Sequence, residues 1–457
     1  MGLSDRLNRA SELQQQPEDA NAYPNTGMLR QIATGAIQRV DISKLRNDVN
    51  EELKELIGQR LYSGDVEATT LQATVYKAIG LVIERSNYPL TELERAELVQ
   101  EIVDDILGNG PIEQLLRDPE VTEIMVARFD TIYVEKRGKL QVTELKFDEE
   151  EHLRKTIDRI VGKVGRRIDE SSPLVDARLK DGSRVNAVVP PIALDGATLT
   201  IRKFFKDPFT AKDMVNTGSI TGNALVFLHA CVQGRMNIVI SGGTGSGKTT
   251  TLNVVSSFIP DDERIVTIED SAELQLNKPH VIRLETRPLN IEGQGLISIR
   301  DLVRNSLRMR PDRIVVGEVR DGAALDMLQA MNTGHDGSLT TVHANSPTDV
   351  ISRLETMSLM AGMEMPMTAI REQVGRAINV IVQQSRMRDG SRKITAISEV
   401  GGIHDNQIFL EDIFRFEYNQ DANSPVIGAL MPTGRRPAFL ERLGQRGISV
   451  PDEVFQR

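Results

Sequence analysis

The sequence predicts an α/β protein whose larger part is a mostly parallel sheet with helices on both faces. Three observations carry this expectation. A glycine-rich loop stands between a short apolar run and a helical segment at 237–251, NIVISGGTGSGKTTT. Strand-like and helical runs alternate from about residue 213 onward. Several of the strand-like runs end in a carboxylate or an imidazole, where sheets of this kind bind their ligands.

The loop comes first. Residues 238–240 are apolar and bounded by polar residues, as in a buried strand. Gly242, Gly243, Thr244, Gly245, Ser246 and Gly247 follow, then Lys248, Thr249 and Thr250 open a helix. This is G-x-x-x-x-G-K-[ST] in its strand–loop–helix setting. Glycines let several N–H groups converge on one anion, and the new helix turns its positive end to the same place. Lys248 supplies a point charge for the β- and γ-phosphates, and the Thr249 hydroxyl suits Mg²⁺. The chain is therefore expected to bind a nucleoside triphosphate.

Composition narrows the setting. At 457 residues, two or three domains are expected. A net charge of −10 and the absence of tryptophan argue against nucleic acid as the direct partner. The one cysteine, Cys231, permits no intrachain disulfide, fits a reducing compartment and reads as a buried apolar residue in LVFLHACV. No apolar run approaches the roughly 20 residues that span a bilayer, so membrane association is expected only through partners or surface contact.

In chain order, residues 1–36 are polar and turn-rich and are expected to be mobile. Residues 37–110 carry a helical period: Leu45, Val49, Leu53, Leu56 and Ile57 share one face, and Val75, Ile79, Val82 and Ile83 another. Thr91 with Glu94 forms a capping box before Leu98, Ile102 and Ile106, and 108–111, GNGP, stops that helix. A small helical bundle is expected. Residues 111–203 read as α+β: strands near 121–126, 131–136 and 140–145, a helix 149–164, then strands near 175–179, 184–189 and 198–203. Period-two alternation puts Arg178, Arg184 and Arg202 on polar strand faces. A linker is expected at 204–212, with FFKDP at 204–208, then the phosphate-loop domain over 213–432, with two more strand-like runs at 377–383 and 394–400 near its end, and a tail over 433–457 that Phe439, Leu440 and Leu443 can anchor.

The strand ends hold the chemistry. The run RIVVGE ends in Glu318, a carboxylate able to reach Mg²⁺ directly or through water. RIVTIED ends in Glu269, which can orient or deprotonate the attacking water. SLTTVH ends in His343, which can contact the γ-phosphate, and His335 lies in the preceding loop. No Cys/His spacing suggests zinc.

GGTGSGKTTTLN, RIVTIEDSAEL, RMRPDRIVVGEVRD and TGHDGSLTTVHANSP resemble, in order and spacing, the Walker A, Asp, Walker B and His boxes of the secretion and pilus-assembly ATPase superfamily. SSPLVDARLKDGSRVNAVVPP, LTIRKF and the closing ALMPTGRRPAFLERLGQRGISVP resemble its CpaF/TadA branch, which drives tight-adherence (Flp-type) pili. The resemblance covers about 37–457. It implies a RecA-like ATPase domain behind a PAS-like α+β domain, and a homo-hexameric cytoplasmic motor peripheral to the inner membrane. That motor would hydrolyse ATP with Mg²⁺ and act on inner-membrane platform proteins. Lys248 and Thr249 would bind phosphate and Mg²⁺, and Glu318, without the aspartate of many phosphate-loop enzymes, would contact Mg²⁺ indirectly. Glu269 is favoured as the base, the division of labour between the two glutamates staying open, and His335 and His343 would form the His-box pair. Arg178, Arg184 and Arg202 would reach phosphate as the N-terminal domain closes. Two other classes stay open: a DNA-translocating or recombinase-type ATPase, and a nucleotide-gated scaffold with little turnover.

Overall fold

The computed structural model describes residues 42–57, 68–86, 91–136, 138–179, 181–204, 209–287, 289, 294–419 and 428–457. The N-terminal segment 1–36 and most of the stretch read as a linker at 204–208 lie outside them. The chain divides into two compact units, one formed by 1–134, 142–177 and 186–200, the other by 135–141, 178–185 and 201–457.

In the first unit, helices α1 (Ile42–Ile57), α2 (Ala68–Ser86) and α3 (Glu92–Ile106) share a core of Leu45, Val49, Leu53, Val75, Ile79, Ile83, Leu98 and Ile102. These are positions that the helical period brings to one face, except that Leu56 is exposed, while the side chain of Ile57 lies outside those described. The capping box is formed: Thr91 N–H donates to Glu94 Oε2 at 2.7 Å, and Glu94 N–H to Thr91 Oγ1 at 3.3 Å. After α4 (Glu113–Arg117) come β1 (Val121–Arg128), β2 (Thr131–Lys136), β3 (Lys139–Val142), α5 (Glu150–Gly162), β4 (Leu174–Arg178), β5 (Arg184–Val188) and β6 (Thr198–Arg202). The six strands form one sheet in the order β3-β2-β1-β6-β5-β4, of which residues 135–141, 178–185 and 201–202 count with the second unit. Helix α5 buries Leu153, Ile157, Ile160 and Val161, the apolar stripe of its period.

The second unit opens with α6 (Ala211–Asn216) and α7 (Gly222–Gln233). It continues with β7 (Ile238–Gly242), α8 (Lys248–Ser256), β8 (Ile265–Glu269), β9 (Val281–Glu285) and α9 (Ile299–Ser306). Then follow β10 (Arg313–Val316), α10 (Ala323–Asn332), β11 (Leu339–Val342), α11 (Pro347–Leu359), α12 (Met367–Ala377), β12 (Val380–Arg386), β13 (Arg392–His404), β14 (Gln407–Tyr418), β15 (Gly428–Pro432) and α13 (Leu440–Gln445). The nine-stranded sheet runs β15-β14-β13-β12-β7-β11-β10-β8-β9. Its strands are parallel from β12 to β9, and β13, β14 and β15 extend it antiparallel. Strand β7 lies inside the parallel part and is buried on both faces. Ile238 and Ile240 enter one apolar cluster, with α7, α8 and the C-terminal residues, and Val239 enters the other, with α9 to α12. No helix among the described residues is long and apolar enough to cross a membrane.

Two features differ from the sequence reading. Strand β12 begins at Val380 rather than 377, because α12 continues through Ala377. The long β14 has no counterpart in the reading. Its sequence, QIFLEDIFRFEY, mixes charged and apolar residues without clean alternation, which blurs the period-two signal. The C-terminal residues also do more than touch the surface. Phe439, Leu443, Val454 and Phe455 are buried, and Phe227 packs against Phe414, Phe439 and Phe455 with ring centroids 5.6, 6.2 and 5.9 Å away. Cys231 lies in the same core, and burial pushes its thiol pKa well up. Phe455→Ala is expected to cost about 3 kcal/mol, read as a lowered denaturation midpoint of this unit.

Candidate functional site

Strand register builds the site. Ser241 of β7 pairs with Val342 of β11, and Gly242 with Gln384 of β12. Val316 of β10 pairs with Thr340 of β11 and with Ile268 of β8. Parallel strands in this register bring their carboxyl ends to one edge, so Gly242, His343, Glu318 and Glu269 leave the sheet on the same side. The loop after β10 is tied there. Gly317 N–H donates to Ile268 O at 2.8 Å, and Thr341 Oγ1 to Gly317 O at 2.6 Å. A Cβ on Gly317 would stand 2.9 Å from Glu269 Cγ, so the position keeps room for the glutamate.

The phosphate loop spans β7 to α8. Gly245 and Gly247 hold φ of +68° and +96°, left-handed values that turn successive N–H groups toward one point. Ser246 Oγ and Lys248 Nζ both donate to Gly243 O, at 2.9 and 3.1 Å. Burial lowers the Lys248 pKa, the nearby Glu318 carboxylate opposes that shift, and the Arg320 guanidinium adds to it. Burial also lowers the His343 pKa, helped by the positive Lys248, which disfavours the charged imidazolium. These mutual effects place Lys248, Glu318, Arg320 and His343 within electrostatic reach of one another.

Three residues that the sequence reading passed over brace this loop. Ser241 Oγ donates to Gln383 Oε1, and Gln383 Nε2 to Ala344 O at 3.3 Å. Thr251 Oγ1 donates to Gln384 Oε1 at 2.7 Å, and Arg392 Nε to Gly245 O at 3.0 Å. The signal for the two glutamines was present: VIVQQ ends an apolar run in polar residues, as RIVTIE does. Arg392 reaches the loop only through the β12–β13 pairing, which has no local signature.

Glu269 is buried. Its Oε2 accepts the N–H groups of Glu273 at 2.8 Å and Leu274 at 2.9 Å, while Oε1 is buried without a partner. Burial raises its pKa against the pull of those two N–H groups. Glu318 pairs with Arg320 at 2.7 Å, and Arg320 also reaches Asp270 at 3.4 Å. An N–H-lined loop with a lysine and a threonine hydroxyl fits a nucleoside triphosphate with a hard, oxygen-seeking cation, and the unpartnered buried carboxylate oxygen of Glu269 stands on the same sheet edge, three strands away. Thr249 and Glu318 supply oxygen donors of the type Mg²⁺ takes. No group of three or more His, Cys, Asp or Glu able to hold another metal occurs among the described residues.

The remaining candidates do not gather there together. His335 precedes β11 and His343 follows it, so the strand separates the pair. His335 lies at the amino end, where Asn237 Oδ1 accepts the N–H groups of Gly337 and Ser338. Arg178 pairs with Glu285 at 2.6 Å and donates to Ala272 O at 2.8 Å, and Arg184 pairs with Glu273 at 3.0 Å. Arg202 is exposed at the end of β6.

A model of the family described as type II/IV secretion system protein matches residues 105–410. The conjugal transfer protein TrbB of Rhizobium radiobacter is 31% identical over 337 residues, covering 72% of this chain and 98% of that protein. The type IV secretion system protein VirB11 of Bartonella henselae is 31% identical over 331 residues, covering 63% and 90%. Among solved structures, the Brucella suis VirB11 ATPase with sulphate is 29% identical, with a TM-score of 0.36 over 63% of this chain and 95% of that one. The pilus retraction motor PilT with ADP is 18% identical, with a TM-score of 0.46 over 74% and 86%. The phosphate loop between β7 and α8, the strand-end carboxylates beside it and the matching family model identify the chain as a member of the type II/IV secretion system protein family, a phosphate-loop ATPase.

Proposed function

We propose that this ATPase is a cytoplasmic homo-hexameric motor of the CpaF/TadA branch, powering assembly of a tight-adherence pilus through an inner-membrane platform. The observation that carries the hydrolytic reading is the unpartnered Glu269 Oε1, buried at the strand edge where β7 delivers the phosphate loop. The loop N–H groups and Lys248 bind the phosphates. Glu269 takes a proton from the attacking water. Neutral His343 offers a hydrogen bond to the γ-phosphoryl, and Arg202 contacts the same group. Bound Mg²⁺, held by Thr249 and Glu318, would neutralise charge on the β- and γ-phosphoryl oxygens. His335, at the other end of β11, is assigned to transmitting change along that strand rather than to phosphate contact. The branch assignment is supported by the 171–191 and 429–451 segments.

A second reading, DNA translocation, draws on the conjugal transfer relative. One experiment separates them. Phosphate release is measured from the full chain with and without single- and double-stranded DNA, and particles are imaged with a non-hydrolysable ATP analogue. The pilus motor predicts Mg²⁺-dependent turnover indifferent to DNA, six-membered rings, and loss of surface pili on deletion of the chain. DNA-stimulated turnover with normal piliation would replace it by the second reading, and no turnover would leave a scaffold.

A further inference from the structure

The segment that follows β8 is gripped from two sides. On one side it fixes the glutamate: the N–H groups of Glu273 and Leu274 donate to Glu269 Oε2, and the next N–H, of Gln275, donates to Asn253 Oδ1 of α8 at 2.9 Å. Successive N–H groups thus lock one carboxylate oxygen and leave the other pointing free. On the other side the segment is held by guanidiniums. Arg178 spans Ala272 O and Glu285 Oε2, and that oxygen also accepts Ala272 N–H at 3.2 Å. Arg184 pairs with the Glu273 side chain. Glu285 is the register partner of Glu269 on β9, so Arg178 also neutralises the carboxylate nearest along the sheet.

We infer that Arg178 and Arg184 are positioning residues: by holding Ala272, Glu273 and Glu285 they fix the 272–275 backbone that sets the rotamer of Glu269. The inference rests on the reading of Glu269 as the base. The side chains of each pair are about a third exposed, and each pair alone contributes little to stability. Their leverage is geometric, since a displacement of about 1 Å at a catalytic group can cost on the order of 100-fold in rate. Arginines that held the transferred phosphate directly would behave differently, because they would contribute to nucleotide binding as well.

The test is steady-state ATP hydrolysis by the full chain. Arg184→Ala and Glu273→Gln each cut the same contact, one from either end. Both are expected to lower kcat about tenfold while KM for ATP stays within about twofold. Glu269→Gln is expected to lower kcat about 100-fold. In that background Arg184→Ala should cost nothing further, because it acts only through the glutamate. The exchange Arg184→Glu with Glu273→Arg should restore most of the rate. Additive losses, or an ATP analogue bound much more weakly by Arg184→Ala, would overturn the inference and make these arginines phosphate ligands. A wild-type rate in Glu269→Gln would instead remove the base assignment, a result read from that variant alone. An unchanged thermal transition in Glu273→Gln separates positioning from loss of fold.

Discussion

Lys248→Ala is expected to lose turnover by on the order of 10³-fold with an unchanged fold. The ammonium sits half-buried at the start of α8, held to Gly243 O at 3.1 Å. Its charge is the one within the loop that can follow the phosphoryl group as negative charge develops, in a site where burial already makes charge costly. The same burial explains why the fold survives. Lowering of the Lys248 pKa by desolvation means that the charged form is retained at an energetic cost, so alanine removes a function rather than a stabilising contact. Phosphate release measures the first part, and far-ultraviolet circular dichroism with a thermal scan the second. Turnover near the wild-type rate would remove the loop from the catalytic site.

Glu263→Ala is expected to destabilise the second unit by about 4 kcal/mol. Arg313, the first residue of β10, has a side chain with 0% exposure. Its guanidinium is bound by Glu263, by Gly337 O at 3.1 Å and by Val232 O at 2.8 Å. Burial lowers the Arg313 pKa, and Glu263 is the group that opposes this shift most. Without Glu263 the charge stays in the core with carbonyl oxygens alone. The double replacement Glu263→Ala with Arg313→Met should recover most of the loss, because a buried pair exchanged for apolar volume is close to neutral. Denaturant titration distinguishes the two outcomes. An equal loss in single and double variants would show that Arg313 acts through packing and not through its charge.

Some of this was legible locally. The phosphate loop is contiguous in sequence, so its strand, glycines, lysine and threonine could be assigned without any partner. The parallel strands β7, β8, β10 and β11 are buried on both faces and therefore appear as short apolar runs ending in polar residues. The helical core of Leu45, Val75, Leu98 and their neighbours follows from period alone. For Gln383 and Gln384 only the strand end was legible, in VIVQQ; their contacts with the loop, and that of Arg392, were not, because they depend on which strand lies beside β7. Period-two alternation showed that Arg178 and Arg184 face away from the core, but could not show that Glu285 and Glu273 are their counter-ions.

By itself, then, the sequence determined the chemistry available: an anion-binding loop, two strand-end glutamates and a strand-end histidine, each specified by neighbours a few residues away. Tertiary structure alone decided which of these groups meet. Sheet order and register carried His343 and Glu318 to the phosphate loop, left His335 at the far end of β11, and delivered the C-terminal Phe455 to a core more than two hundred residues upstream. The physical reason is range. Glycine conformation, capping and period act over one or two turns of chain, whereas strand pairing and burial join residues whose separation along the chain leaves no trace in either segment.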